Sequence, residues 1–130
     1  MKIKKITMPD FEIDIDIREG TNMMVNATQM GGMFGLDYHR FMEQQGTKDF
    51  IRVCLYGSNA GYLGVETRED FVRFESERDS KEPGAWWIHN ILALKFVETA
   101  SPGFAIALYV TINKVLREYD SGINHEKSPS

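Results

Sequence analysis

With 130 residues, of which 42% are hydrophobic and 12% aromatic, the chain has the length and apolar content of a single domain with its own core. Nineteen acidic against fifteen basic residues give a net charge of −4, which argues against an indiscriminate polyanion binder but not against a local basic patch. No apolar run approaches the roughly 18 to 20 residues of a membrane span, and the lone Cys54 cannot form an internal disulfide. We therefore expect a cytoplasmic protein without a membrane partner.

The N-terminal part predicts a β-hairpin. Residues 11–18, FEIDIDIR, alternate apolar and polar side chains, which is the pattern of a half-buried strand. The turn-forming residues EGTN follow, and residues 23–26, MMVN, are expected to return as the second strand.

Three short helices are predicted next, because the apolar period changes from two to between three and four after residue 26. They span residues 27–34, 38–45 and 48–56, and the glycine-containing turn between the first two is typical of helix-turn-helix arrangements. Gly31 and Gly32 in the first helix are expected to let another backbone come close. The predicted cap and terminator of each helix are, in chain order, Asn26 and Gly35, Asp37 and Gly46, and Thr47 and Gly57.

The second half of the chain predicts a loop at residues 57–66, one helical turn near residues 67–71, and a second hairpin from residues 72–76 and 85–89. Two C-terminal helices follow, the last with Ser101 as its N-cap and Pro102 as its first residue. The order of elements indicates an α+β fold, with a domain at residues 1–119 and a disordered tail at residues 120–130.

No catalytic or cofactor site is predicted. His39, His89 and His125 are isolated in sequence and lack the companions of a metal site, and GGMFG does not match a phosphate-binding motif. No nucleophile, base and orienting residue form a set, so we expect a protein that is not an enzyme. His89, at the end of a strand, is expected to hydrogen-bond to backbone at the start of the following helix.

The third predicted helix carries a cationic stripe. Lys48, Arg52 and Tyr56 are spaced by four residues beside the apolar face of this helix, where they could contact DNA phosphates and base edges. Spacing alone leaves an ordinary solvated helix face as the alternative.

The second hairpin carries cations near its tip, and these could hold a DNA backbone as a wing does. The interleaved acidic residues leave mutual neutralisation as the alternative. The cations are Arg73, Arg78 and Lys81, and the acids are Glu75, Glu77, Asp79 and Glu82.

Several segments together resemble the KilA-N domain, a DNA-binding module of phage and bacterial proteins whose fold is similar to that of the fungal APSES domain. The resemblance runs from about residue 11 to residue 116. It is carried, in order, by MVNATQMGGMFG, TKDFIRVCL, PGAWWIH, LALKF and SPGFAIALYV. It implies a DNA-binding domain of phage or prophage type with a role in transcription regulation.

The chain departs from the family pattern at three places. Gln29 stands where a basic residue commonly follows the Asn-Ala-Thr motif, Phe41 where a tryptophan is expected, and Thr99-Ala100 where an aromatic-leucine pair is usual. Gln29 and Arg40 are further candidates for DNA contact. The departures and the acidic charge leave open a second interpretation, an antirepressor-like module that binds a protein partner or a second copy of itself.

Overall fold

The computed structural model describes residues 3–8, 11–17, 23–76, 84–98 and 100–127. Its helices and strands confirm the predicted α+β fold. The strands are β1 (Ile3–Met8), β2 (Phe11–Ile17), β3 (Met23–Asn26), β4 (Val72–Glu75) and β5 (Ala85–His89). The helices are α1 (Ala27–Phe34), α2 (Tyr38–Glu43), α3 (Gln45–Cys54), α4 (Ser58–Tyr62), α5 (Asn90–Glu98) and α6 (Pro102–Lys127).

The strands form one antiparallel sheet in the order β1-β2-β3-β5-β4. The predicted pairing of β2 with β3 is confirmed, with Ile15 opposite Val25. Strand β1 was not predicted, and it extends this hairpin into a three-stranded edge by pairing with β2 over its whole length. The centre of the sheet is the pair β3 and β5, in which Val25 lies opposite Ile88.

One face of the sheet packs on the helices and forms the core. Ile13 and Ile15 of β2 are fully buried there together with Ile88 of β5, as the alternation of the strands requires. Each central strand runs directly into a helix, β3 into α1 and β5 into α5, so the sheet fixes where both helices begin.

Helix α1 is capped as predicted. The Asn26 side chain accepts the Gln29 backbone N–H at 2.9 Å, and Gly35 ends the helix with φ 65°, a conformation that glycine adopts without strain. At Gly31 a β-carbon would lie 2.7 Å from the Leu36 carbonyl oxygen, so this glycine does permit the close approach that its sequence indicates. The same prediction is wrong for Gly32, which has no neighbouring atom within 4 Å of that position.

The boundary between α2 and α3 differs from the prediction. Asp37 caps α2 as expected, accepting the Arg40 backbone N–H at 3.1 Å, but α2 ends at Glu43 rather than at Gly46. Helix α3 then begins at Gln45, and Thr47 is buried inside it instead of capping it. Gln44 alone separates the two helices, so Gly46 lies within α3 instead of ending α2.

The segment after α3 is less irregular than predicted. Residues 57–66 were expected to be a loop, yet they contain α4, which follows Gly57 at φ 57°. The helical turn expected near residues 67–71 is confirmed as a 3-10 turn at Arg68–Asp70. The second hairpin is confirmed by the pairing of β4 with β5, and its tip at residues 77–83 lies outside the described residues.

Helices α5 and α6 close the core. Ser101 caps α6 by accepting the Phe104 backbone N–H at 3.2 Å, and Pro102 is the first helical residue, as predicted. The buried stripe of α6 is Phe104, Leu108, Ile112 and Val115. The helix continues to Lys127, into the span for which the sequence predicts a tail, and the domain boundary at residue 119 stays a prediction.

Candidate nucleic-acid interface

Helix α3 has two chemically different sides. Thr47, Ile51 and Cys54 point into the core, and burial raises the pKa of the Cys54 thiol. The other side exposes Lys48 and Arg52, and Tyr56 follows beyond the C-terminus of the helix with 78% of its surface exposed. The predicted stripe therefore lies on the surface, where it is accessible to a ligand.

These three side chains line one concave surface of about 710 Å³, which we call the α3 groove. Its remaining lining comes from the neighbouring α2, from the start and inner side of α3, and from the 3-10 turn. The residues that line the α3 groove are Met42, Gln45, Lys48, Ile51, Arg52, Leu55, Tyr56 and Arg68. The groove thus combines an apolar floor with three cations contributed by two separate elements.

Arg68 is the cation that the sequence prediction missed. It is exposed at the start of the 3-10 turn, which the Asp70 carboxylate stabilises by accepting the backbone N–H groups of Glu66 at 2.9 Å and Thr67 at 3.2 Å. Glu69 and Asp70 follow Arg68 directly in sequence, so a sum of charges over this segment is negative and does not indicate a cationic site. The lining of the α3 groove includes Arg68 but neither Glu69 nor Asp70, whereas Arg68 and Glu69 together line an adjoining concavity.

An acidic residue of α3 restrains the cationic stripe. Asp49 forms an ion pair with Arg52 one turn later, and its Oδ1 also accepts a hydrogen bond from the Gln45 side chain at 2.9 Å. Both Asp49 and Arg52 are largely exposed, so the pair is screened by solvent. The contact orients the Arg52 guanidinium and offsets part of its charge.

The groove continues along α2 as an aromatic strip. Met42 and Arg68 also line an adjoining concavity of about 300 Å³ together with Tyr38, His39 and Trp86. Tyr38 stacks on Trp86 with ring centroids 5.3 Å apart, and burial raises the pKa of Tyr38 to about 12. The strip joins the α3 groove to the root of the β4–β5 hairpin.

The predicted hairpin cations are not brought to this groove by the described residues. Arg73 lies on β4 with only 16% of its side chain exposed, and its Nε lies 2.6 Å from a carboxylate oxygen of Glu75. This contact matches the predicted alternative of neutralisation for Arg73. Arg78 and Lys81 lie outside the described residues.

Gln29 and Arg40 lie away from the groove as well. The Gln29 side-chain oxygen accepts the Asp14 backbone N–H at 2.7 Å, which ties α1 to β2. Arg40 is exposed on α2 beside a different cleft, of about 320 Å³, that also contains Lys95. The structure therefore groups three of the eight predicted residues, Lys48, Arg52 and Tyr56, at one surface.

Both ring nitrogens of His89 contact backbone groups. Its Nε2 lies 2.8 Å from the Leu63 carbonyl oxygen, and its Nδ1 accepts the Ile91 backbone N–H at 3.1 Å, which confirms the predicted bond at the start of α5. Together these contacts require the neutral tautomer with the proton on Nε2. Burial lowers the pKa of His89, and this effect outweighs the opposing influence of the Leu63 carbonyl.

Within the described part of the chain, no group of three or more His, Cys, Asp or Glu side chains could hold a metal ion. No helix in that part is long and apolar enough to cross a membrane.

The sequence model of the KilA-N domain matches residues 6–118, which is most of the chain. Neither the curated proteins nor the solved structures gave a match.

Proposed function

The chain belongs to the KilA-N domain family, a family of DNA-binding domains, and on that premise we propose that it binds double-stranded DNA through the α3 groove. The observation that carries the proposal is the convergence of Lys48, Arg52 and Arg68 from two elements on one concave surface. A chain with a net charge of −4 thereby offers a local cationic surface of the kind that phosphates require.

The residues of the groove divide by the contacts that they can make. Lys48 is a flexible point charge that suits a phosphate, whereas the planar guanidinium of Arg52 also suits the paired acceptors of a guanine edge. The ion pair with Asp49 biases the orientation of Arg52, and the bias is small because both side chains are largely exposed. Tyr56, largely exposed at the end of the helix, supplies an aromatic face and a hydroxyl beside these cations.

The hairpin is the second part of the proposed interface. The wing residues predicted from the sequence, Arg78 and Lys81, would hold the DNA backbone. We expect Arg73 to contribute less to DNA binding, because its guanidinium is paired with Glu75. Gln29 and Arg40 are left outside the interface.

We further propose that the protein acts without catalysis, as a cytoplasmic regulator of transcription of phage or prophage type. The buried, unpaired Cys54 is in keeping with a reducing compartment.

The test is the fluorescence anisotropy of a labelled random-sequence duplex between about 50 and 200 mM salt. The variant Lys48→Glu/Arg52→Glu reverses two charges in the groove, and we expect it to bind more than about a hundredfold more weakly with a smaller salt dependence. Arg40→Glu/Lys114→Glu is the matched control, because it makes the same charge change at two exposed cations outside the groove.

Equal losses in both variants, with both folded by circular dichroism, would refute the groove as the binding surface. No binding by the unaltered protein at the lowest salt would refute DNA affinity itself and favour the antirepressor-like alternative. Arg78→Glu/Lys81→Glu tests the wing separately.

A further inference from the structure

A second large concavity, of about 670 Å³, lies between α1, the start of α2 and the root of the β4–β5 hairpin. We call it the aromatic concavity, because α2 and both strands of the hairpin contribute rings to its lining. The residues that matter here are Gly32 of α1, Tyr38 and His39 of α2, Phe74 of β4 and Trp86 of β5.

The fold holds these rings in place. Trp86 stacks on Tyr38, lies 5.1 Å from the Phe74 ring centroid and meets the His39 ring edge-on. The Thr28 hydroxyl oxygen accepts the Trp86 backbone N–H at 2.9 Å, which ties the hairpin to α1. Phe74 nevertheless keeps half of its surface exposed, and His39 is exposed as well. Positioned aromatic surface is therefore available to a planar ligand.

Gly32 is a glycine that the fold does not require. It lies inside α1, where glycine lowers helix stability relative to alanine. A β-carbon at this position would have no atom within 4 Å, and Gly32 is not among the glycines with positive φ. Because Gly32 lines the aromatic concavity, a side chain here would occupy space that the glycine leaves open.

The wall of the concavity contains an unpaired donor. Tyr38 is 7% exposed, and its hydroxyl has no hydrogen-bond partner among the described residues. Since burial raises the pKa of Tyr38 to about 12, the hydroxyl keeps its proton at neutral pH and can donate. Buried polar groups are normally paired, so this hydroxyl indicates a ligand that carries an acceptor.

The aromatic concavity is continuous with the α3 groove. Tyr38, His39 and Trp86 also line the adjoining concavity that reaches Arg68, and Arg68 in turn lines the α3 groove. None of the described residues that line the aromatic concavity itself is Lys or Arg. This arrangement matches a nucleotide, because a phosphate on Arg68 would leave its planar base beside the rings.

We propose that the aromatic concavity binds one unpaired base of a DNA strand whose backbone lies along Arg68 and the α3 groove. The base stacks on exposed aromatic surface, occupies the space beside Gly32 and offers the acceptor that the Tyr38 hydroxyl lacks. Aromatic rings beside cations are a common means of holding bases that have left the duplex stack. This inference rests on the proposed DNA binding and adds to it a preference for duplexes with an unpaired base.

The test compares three labelled duplexes of one sequence by fluorescence anisotropy with the full chain at about 100 mM salt. The first is fully paired, and the second carries one extra, unpaired adenine. The third carries an extra abasic nucleotide at the same place, which interrupts the duplex in the same way but has no base. We expect the second to bind about tenfold more tightly than the other two, because only its extra base can stack on the rings.

Gly32→Leu fills the concavity and should remove this preference while leaving the affinity for the fully paired duplex unchanged. The variant should remain folded, because leucine favours a helix more than glycine does. Gly103→Leu is the matched control, since a β-carbon at this exposed glycine of α6 also has no atom within 4 Å. Phe74→Leu should weaken the preference and Tyr109→Leu should not, although both rings are at least half exposed.

The outcomes separate this inference from DNA binding itself. Equal affinity for all three duplexes would overturn the aromatic concavity and leave DNA binding in place. A preference that the abasic duplex shares, that Gly32→Leu retains or that Gly103→Leu equally loses would also overturn it. No binding to any of the duplexes would overturn it together with the proposed function.

Discussion

Helices α3 and α6 have similar inner sides and opposite outer sides. Each places a stripe of small and apolar residues in the core, with Ile51 on α3 and Leu108 on α6 almost fully buried. Outside, α3 presents cations in a groove, whereas the N-terminal part of α6, residues 102–113, includes no charged side chain. The inner side of an amphipathic helix specifies the fold, and the outer side specifies what the helix meets.

The comparison also shows what the net charge of the chain leaves out. A sum over all residues averages a cationic groove, an uncharged face and the acidic remainder into one value of −4. The distribution over two helices carries the information that the sum removes.

The largest expected effect tests whether the two inner sides are equivalent. Ile51→Ala and Leu108→Ala each remove a buried aliphatic group and leave a cavity, so each should lower the free energy of unfolding by about 2 to 5 kcal/mol. Urea denaturation measures it. Val53→Ala and Val110→Ala, at exposed positions of the same two helices, should change it by less than about 0.5 kcal/mol. A large loss of stability at Val53 or Val110 would mean that the outer side of that helix also contributes to the stability of the fold.

The second effect concerns His89, which links the segment after α3 to the helices α5 and α6. His89 joins Leu63, on the segment that follows α3 and α4, to the start of α5, on which α6 packs. Because burial lowers the pKa of His89 in the folded protein, the unfolded chain takes up its proton first as the pH falls below about 6.5. Stability contributed by His89 is thus fully present above that pH and is lost below it, by at most about 1.4 kcal/mol per pH unit.

Urea denaturation between pH 7.5 and pH 5 measures this dependence. His39→Gln, at an exposed histidine, should retain the part that belongs to His89, and His89→Phe should remove it. Stability that rises on acidification through this window in the unaltered protein, but not in His89→Phe, would reverse the assigned sign.

The third effect tests Arg68 as a member of the groove. Arg68→Ala should weaken DNA binding by about three- to tenfold and lower the salt slope by about one, because one phosphate contact is lost. Anisotropy measures both. Arg117→Ala removes an exposed arginine of α6 and should leave both values unchanged for a short duplex that binds one protomer. Parallel losses in the two variants would indicate a general charge effect.

The smallest expected effect is a gain. Asp49→Asn removes the carboxylate that offsets Arg52 and should strengthen DNA binding by about two- to threefold, since an exposed ion pair is weak. The same titration at low salt detects it, and Glu43→Gln, at an exposed acid of α2 outside the lining of the groove, is the control. Weaker binding by Asp49→Asn would mean that orientation of Arg52 matters more than its charge.

Local physics was sufficient for part of this structure. The alternation in β2, the cap at Asn26 and the Ser101-Pro102 start of α6 each act through neighbours in sequence, so each was predictable. Strand β1 was not, because its pairing with β2 gives IKKITM a conformation that its own pattern does not require. The start of α3 was missed for a related reason, since packing draws Thr47 into the core although its local chemistry favours a cap.

The candidate site divides in the same way. Lys48 and Arg52 lie on α3 and Tyr56 follows just beyond its end, so a period of four residues was enough to group them. Arg68 comes from another element and reaches them only through the fold, so no spacing along the chain indicates it. Gln29 was a candidate because of its position after the Asn-Ala-Thr motif, but its hydrogen bond to the Asp14 backbone is a contact between elements that the sequence does not indicate.

The pairing of β3 with β5 has a consequence for how the chain folds during its synthesis. Helices α1 to α4, and with them the whole α3 groove, lie in the segment between these two strands, which meet at Val25 and Ile88. Closing such a long loop costs entropy that is recovered only when the distant strand arrives, so contacts of this kind form late in folding. We expect that on the ribosome the groove stays unformed until residue 89 has emerged, and that a chain cut short before β5 has no DNA affinity.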